Sequence, residues 1–302
     1  MCKYVNSPMQ EDDKKRDRSS GWKHAKKDGH AYEDQFADQV MEDQDLYGKL
    51  RDIAGLGEGT FPVRASTTHN RAMPKSVFGD FTTSKTDVTV FVSEGEPLDI
   101  SLKKPSTKSG QVLLCKLERF LRLIESKSKK PTPTSVRWAL RAFFGETDGL
   151  PITKFAPHAV MLGPVMKSRG IQAELYQNRL YGSTLAASYP NEWQSLQNWF
   201  NENMAEITDC CFRSGMCADA LDERSTAEYV FVGSLGRFFT VRSLVEASSN
   251  WLVIPSSRGK YKGSTLRMPW GFLQGHRPGK NDGPYQIQFH WVAKDMLALL
   301  DK

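Results

Sequence analysis

Apolar and polar positions alternate most strictly between residues 86 and 103. Thr86-Asp87-Val88-Thr89-Val90-Phe91-Val92 is β-branched and apolar, Glu94-Gly95-Glu96-Pro97 reads as a turn, and Leu98-Asp99-Ile100-Ser101-Leu102-Lys103 alternates without a break. Two such runs across a short turn predict an antiparallel hairpin. Side chains repeat every two residues on a strand. Leu98, Ile100 and Leu102 therefore share a face expected to be core, while Asp99, Ser101 and Lys103 share the other. Asp87, near the start of the first strand, is expected opposite the end of the second, close to Lys103.

Other segments carry the helical period. Tyr32, Phe36, Ala37 and Val40 predict a helix over 30–40, with Gly29 at its entry and Glu33 at the edge of its apolar stripe. A second helix is predicted from Gln111 to Ser126 on the stripe of Val112, Leu113, Leu117, Phe120, Leu121 and Ile124. Helices are also predicted over 135–144, over 191–207 and from Ala293 to Leu300. Strand-like runs occupy Tyr229 to Val232, Trp251 to Ile254 and Tyr285 to Val292, while 55–84 reads as loops with short strands and 256–284 as mostly loop. Residues 1–20 are polar and charged and predict a disordered tail.

Composition narrows the class. With 302 residues, 39% apolar and 25% charged, the chain is long enough for a real core. It contains no run of 18 or more apolar residues, and the polar N-terminus lacks the apolar centre of a secretory signal. No membrane partner and a cytoplasmic location are expected on these grounds. The five cysteines, Cys2, Cys115, Cys210, Cys211 and Cys217, form no CxxC pair and are read as free thiols in a reducing compartment. The net charge of +6 is a weak pointer to a polyanion, but basic residues cluster at 103–130 and 258–280.

The hairpin is where chemistry concentrates. Phosphodiester hydrolysis needs carboxylates to hold a divalent metal, an activated water, and a cation for the charge that develops on phosphate. Asp87 on one strand and a polar row ending in Lys103 on its neighbour could supply these on one sheet face. An ordinary solvated hairpin edged with lysine is the bland alternative.

Thr83-Ser84-Lys85-Thr86-Asp87-Val88-Thr89-Val90 followed by Asp99-Ile100-Ser101-Leu102-Lys103 resembles the core of the PD-(D/E)xK nucleases, in particular type II restriction endonucleases. Trp22-x-x-Ala25-Lys26-x-x-Gly29-His30-x-x-Glu33 resembles their N-terminal helix, so that the resemblance covers roughly residues 20–125. It implies an α/β fold with a central mixed β-sheet flanked by helices. It implies Mg²⁺-dependent, sequence-specific cleavage of double-stranded DNA, with Asp87 as metal ligand, Lys103 as catalytic lysine, Glu33 as the helix carboxylate and Gln111 lining the site. Ser101 stands where the triplet has its acid, which leaves the second metal-ligand carboxylate open among Glu33, Asp99 and Glu118. Many such enzymes dimerise to cut both strands, and a homodimer is expected on that basis. The implied organisation is a tail at 1–20, a nuclease core at 21–130, and a helical insertion with a C-terminal DNA-recognition region at 131–302.

The second basic cluster fits the same picture. Arg258, Lys260, Lys262, Arg267, Gln274, Arg277 and Lys280 lie among glycines and aromatics. Phosphate contact favours Lys, Arg and exposed backbone N–H groups, and base reading favours Arg and Gln. All seven are expected DNA contacts, against the bland alternative of a flexible basic loop. Rival readings are a phage, repair or homing-type nuclease or nickase on the same core, and a non-catalytic DNA-binding module whose site has decayed.

Overall fold

The computed structural model describes residues 21–68, 84–104, 106, 108–146, 149–152, 179–216, 226–256, 263–276 and 286–301. The expected tail at 1–20, the thiols Cys2 and Cys217, and the DNA-contact candidates Arg258, Lys260, Lys262, Arg277 and Lys280 lie outside them.

Two five-stranded sheets organise the chain. The first has the order β1 (Pro62–Thr67), β2 (Val88–Val92), β3 (Leu98–Lys103), β5 (Tyr229–Val232) and β6 (Arg237–Thr240). It is mixed, because β3 and β5 run parallel while its other neighbours are antiparallel. The second has the order β4 (Ser109–Lys116), β10 (Gln286–Val292), β9 (Gly271–His276), β8 (Thr265–Met268) and β7 (Ile254–Pro255), all antiparallel. β5 and β6 complete the first sheet from far beyond residue 130, so that sheet crosses the expected division there.

Helix α1 (Gly21–Glu42) begins earlier than its apolar stripe alone predicts. Phe36 and Val40 are fully buried against Val88, Ile100, Phe231 and Phe238, with the Phe36 and Phe231 rings 5.0 Å apart. Burial of each such side chain contributes about 1.5–3 kcal/mol. Helix α2 (Gln44–Ala54) is capped by Asp43, whose carboxylate accepts from the amides of Asp45 and Leu46 at 2.9 and 3.0 Å, and it ends at Gly55 with φ 68°. These two helices cover the Val88/Val90/Leu98/Ile100 face of the hairpin. That leaves the face of Asp87, Asp99 and Ser101 for the rest of the molecule.

The larger core lies under the second sheet. α3 (Leu117–Ser128), α4 (Thr134–Phe144), α5 (Gly182–Ser188), α6 (Pro190–Glu202), α7 (Met204–Asp209), α8 (Val241–Ser248) and α9 (Ala293–Leu300) bury their apolar faces there. Ile287, Phe289 and Trp291 of β10 enter this core, and Phe120 meets Phe289 at 5.2 Å.

Several boundaries differ from the sequence reading. Residues 111–116 are strand, not the start of a helix, because Leu113 and Cys115 pair with Phe289 and Ile287 on β10 and Leu117 opens the helix. The helix expected over 191–207 breaks at Asn203, whose amide side chain donates to the Trp199 carbonyl at 2.8 Å. The loop expected at 256–284 contains β8 and β9, whose Leu266, Met268 and Leu273 are core residues. Of Trp251 to Ile254, only Ile254 is in a strand.

Candidate active site

The hairpin register is Val88 with Ile100, Thr89 with Asp99 and Val90 with Leu98. One pair further along, Asp87 faces Ser101, and the Asp87 amide donates to the Ile100 carbonyl at 2.8 Å. The Asp87 carboxylate turns back over β3. Its Oδ2 accepts from the Leu102 amide at 2.6 Å and from the Ser101 hydroxyl at 3.2 Å. Lys103 donates to the same hydroxyl at 2.7 Å. The alternation of β3 and the antiparallel turn thus bring Asp87, Ser101 and Lys103 into one hydrogen-bonded row. Ser101 is 2% exposed and Asp99 8%, while Asp87 and Lys103 at the edge of this face are half-buried. The bland picture of a solvated hairpin does not hold.

Burial sets the electrostatics. It pushes the Asp87 carboxyl above its ordinary value, and the charge of Glu33 on α1 adds to that rise. Lys103 and the bonds from Leu102 and Ser101 pull the other way. Burial lowers the Lys103 ammonium to about 8, against the opposing pull of Asp87. Glu33 pairs with His30 at 3.2 Å one helical turn away.

The other candidate carboxylates are engaged in different ways. Asp99 accepts from Thr89 at 2.5 Å across the hairpin. Glu118 sits on α3 and pairs with Arg137 at 2.9 Å, with its side chain 52% exposed. Gln111 lies on β4 at a bulge, where the register with β10 slips between Phe289 and His290. Bulges re-aim side chains and concentrate beside active sites.

Lys85 is a functional-looking residue that the pattern did not single out. It is half-buried, and its ammonium donates to the Val112 carbonyl on β4, tying the hairpin to the second sheet. Burial lowers its pKa, and its charge helps lower that of Lys103. A cleft of about 410 Å³ opens there, with Lys85, Gln111, Lys116, Arg119 and Gly215 among its lining. The available signal was spacing, since Lys85 stands two residues before Asp87.

Cys115, Cys210 and Cys211 are free thiols. Burial pushes Cys115 and Cys210 up to about 12, and Cys211 rises too, so none is a ready thiolate nucleophile. Among the described residues no three His, Cys, Asp or Glu side chains cluster closely enough to form a metal cage by themselves.

No protein family and no curated protein matches the chain by sequence. Among solved structures, it is similar to the restriction endonuclease MspI in complex with its cognate DNA, at 9% identity and a TM-score of 0.49, over 90% of this chain and 92% of that one.

Of the expected DNA contacts, two lie within the described residues. Arg267 is exposed on β8, its guanidinium 5.5 Å from the centre of the Trp251 ring. Gln274 is half-buried on β9, bonded to Gln288 at 2.8 Å and to His290 at 3.1 Å. Among the described residues no helix is long and apolar enough to cross a membrane.

Proposed function

We propose that this chain is a Mg²⁺-dependent endonuclease that hydrolyses phosphodiester bonds of double-stranded DNA at a specific sequence, in the manner of type II restriction enzymes. The observation that carries this reading is the row Asp87–Ser101–Lys103. It joins a carboxylate and a lysine of depressed pKa on adjacent strands, beside a cleft lined by Lys85, Lys116 and Arg119. The resemblance of the Lys85-Thr86-Asp87 and Ser101-Leu102-Lys103 strands to the PD-(D/E)xK core supports it.

The donor set fits a hard dication. Oδ1 of Asp87 takes no hydrogen bond among the described residues, and Glu33 is close enough for its charge to act on Asp87. Mg²⁺ is typically held by one or two carboxylates, with waters and substrate phosphate completing its shell. Asp87 with Glu33 would hold it, and Asp99 with its Thr89 bond is the alternative second ligand. The bound ion supplies Lewis-acid polarisation of the scissile phosphate.

The chain's own residues account for the remaining roles. Leu102 N–H and the Ser101 hydroxyl fix one oxygen of Asp87 and leave the other without a hydrogen bond among the described residues. Lys103, held by Ser101, orients the attacking water or neutralises charge on the phosphate. Gln111 borders the same cleft from β4. Water attacks phosphorus, the P–O3′ bond breaks, and the products carry a 5′-phosphate and a 3′-hydroxyl. A homodimer would place two such sites on the two strands of a palindrome.

Ser101 in the acidic position of the triplet favours one second reading, a DNA-binding module without catalysis. Digesting a plasmid of known sequence with Mg²⁺ and with EDTA decides between them. Fixed double-strand cuts with Mg²⁺ alone support the endonuclease. Nicks or scattered cuts point to a nickase or a repair-type enzyme, and stable binding without cuts favours the non-catalytic module.

A further inference from the structure

Four side chains on the outward face of the second sheet form one hydrogen-bonded chain across three strands. Gln288 on β10 stands between two other glutamines. Its Nε2 donates to Gln111 Oε1 on β4 at 2.6 Å, and its Oε1 accepts from Gln274 Nε2 on β9 at 2.8 Å. Gln274 Nε2 also meets His290 Nε2 at 3.1 Å, and the His290 ring stacks on Phe272 at 4.7 Å with an interplanar angle of 4°. Gln288 is 7% exposed, while Gln111 is exposed and Gln274 half-buried.

An amide has one accepting and one donating end. Gln288 spends one on each neighbour, so the two flanking glutamines must turn opposite ends toward it. Their outward ends are then opposite as well, whichever way Gln288 is turned. In the observed arrangement Gln111 offers Nε2, a donor, and Gln274 offers Oε1, an acceptor. Neither atom has a partner among the described residues. The two residues sit two strands apart, roughly 10 Å, which places them over different base pairs. The outward positions of β4, β8, β9 and β10 include Lys116 and Arg267 and no Asp or Glu. Gln111 also lines the cleft with Lys85, whose charge acts on Lys103.

We propose that Gln111 and Gln274 are a pair of base-reading residues whose opposite polarities are set by Gln288 as a positioning residue. The inference rests on the DNA-cleaving reading and adds to it which base edges are read. Gln111 would meet an acceptor, such as purine N7 or thymine O4. Gln274 would meet a donor, adenine N6 or cytosine N4.

Changing Gln288 to a carboxylate gives a specific signature. A glutamate accepts from both neighbours, so Gln288→Glu turns Gln111 outward as an acceptor and leaves Gln274 as it was. Gln111→Glu, at an exposed position, presents an acceptor at the same place without touching the buried residue. The two variants should therefore change the same base pair in the same direction. The test selects bound duplexes from a randomised library in EDTA with the wild-type protein, Gln288→Glu, Gln111→Glu and Gln288→Met, with plasmid cleavage in Mg²⁺ run in parallel. The expected result is a shift of at least about 5-fold, at one position, toward a donor-bearing base in both glutamate variants. Gln288→Met frees the Gln111 amide and leaves Gln274 with its His290 contact, so it should loosen the position read by Gln111 more than the one read by Gln274. If Gln288→Glu fails to fold, Gln111→Glu and Gln288→Met still decide. Unchanged selection in the folded variants overturns the inference and leaves the endonuclease reading standing. A wild-type protein that neither retains nor cuts duplex removes both.

Discussion

The hydroxyl of Ser101 lies between Lys103 and Asp87, accepting from the ammonium at 2.7 Å and donating to the carboxylate at 3.2 Å. An acid in its place would put a second negative charge against Asp87, whose carboxyl burial already pushes up. Serine keeps Lys103 on station without that repulsion, and it leaves Asp87 as the one carboxylate in the row.

Asp87→Ala should therefore abolish cleavage and leave duplex binding intact or slightly tighter. A carboxylate that holds the metal serves the transition state more than the ground state, and its removal takes negative charge away from the phosphate. Single-turnover cleavage and binding of one duplex check this together. Near-normal turnover by the alanine variant would refute the assignment of Asp87.

Lys103→Ala should slow cleavage at least about 100-fold, the scale for losing one charge-stabilising group. Lys104 follows Lys103 beyond the end of β3, so its side chain falls outside the alternating row, and Lys104→Ala should stay within a few-fold of wild type. The reverse pattern would mean that the chemistry uses the other strand face.

The two half-buried charges oppose each other in pH. Lys103 titrates near 8 in the folded protein, below its ordinary 10.5. Between those values the unfolded chain binds more protons, so this group's contribution to stability rises with pH from about 8 to 10.5. Asp87 is shifted upward, so the folded chain binds more protons there, and its contribution falls as pH climbs out of the ordinary carboxylate range. Lys103→Met also takes the countercharge from Asp87, so what the shift predicts is a pH dependence: the change in Tm of the metal-free protein should be more favourable at pH 7 than at pH 10.5. A difference in Tm that stays constant between those pH values would show that Lys103 carries no such burden.

The hairpin was legible because period-two alternation fixes both the face and the register of a two-stranded unit. The alternation alone brings Asp87, Ser101 and Lys103 together. The 111–116 segment was not legible as a strand, because Val112, Leu113 and Leu117 fit a helical stripe as well as a strand that then becomes a helix. Only pairing with β10, more than 170 residues away, decides it. Lys85 was hidden for a related reason: its partner is a carbonyl of β4, and backbone acceptors leave no trace in a side-chain pattern. The glutamine chain likewise draws Gln111, Gln274 and Gln288 from three strands that sequence alone does not bring together.

Arg267 offers the last test, because its place is known while Lys260 and Lys262 are read from sequence. Arg267 projects from β8, with Trp251 on one side of its guanidinium, and the Trp251 indole donates to the Arg267 carbonyl at 3.3 Å. A guanidinium steadied against a ring gives up less freedom when it forms a paired contact with a base edge, whereas a lysine ammonium acts as a point charge. Arg267→Ala should thus cost about 1–3 kcal/mol on the cognate duplex and little on a scrambled one. Lys260→Ala and Lys262→Ala should weaken both duplexes equally and reduce the salt slope by about one each. Titrations of each variant on both duplexes across a salt series separate the two behaviours. If Arg267→Ala lowers both affinities equally, Arg267 is a phosphate contact, and base reading on this sheet falls to the glutamines alone.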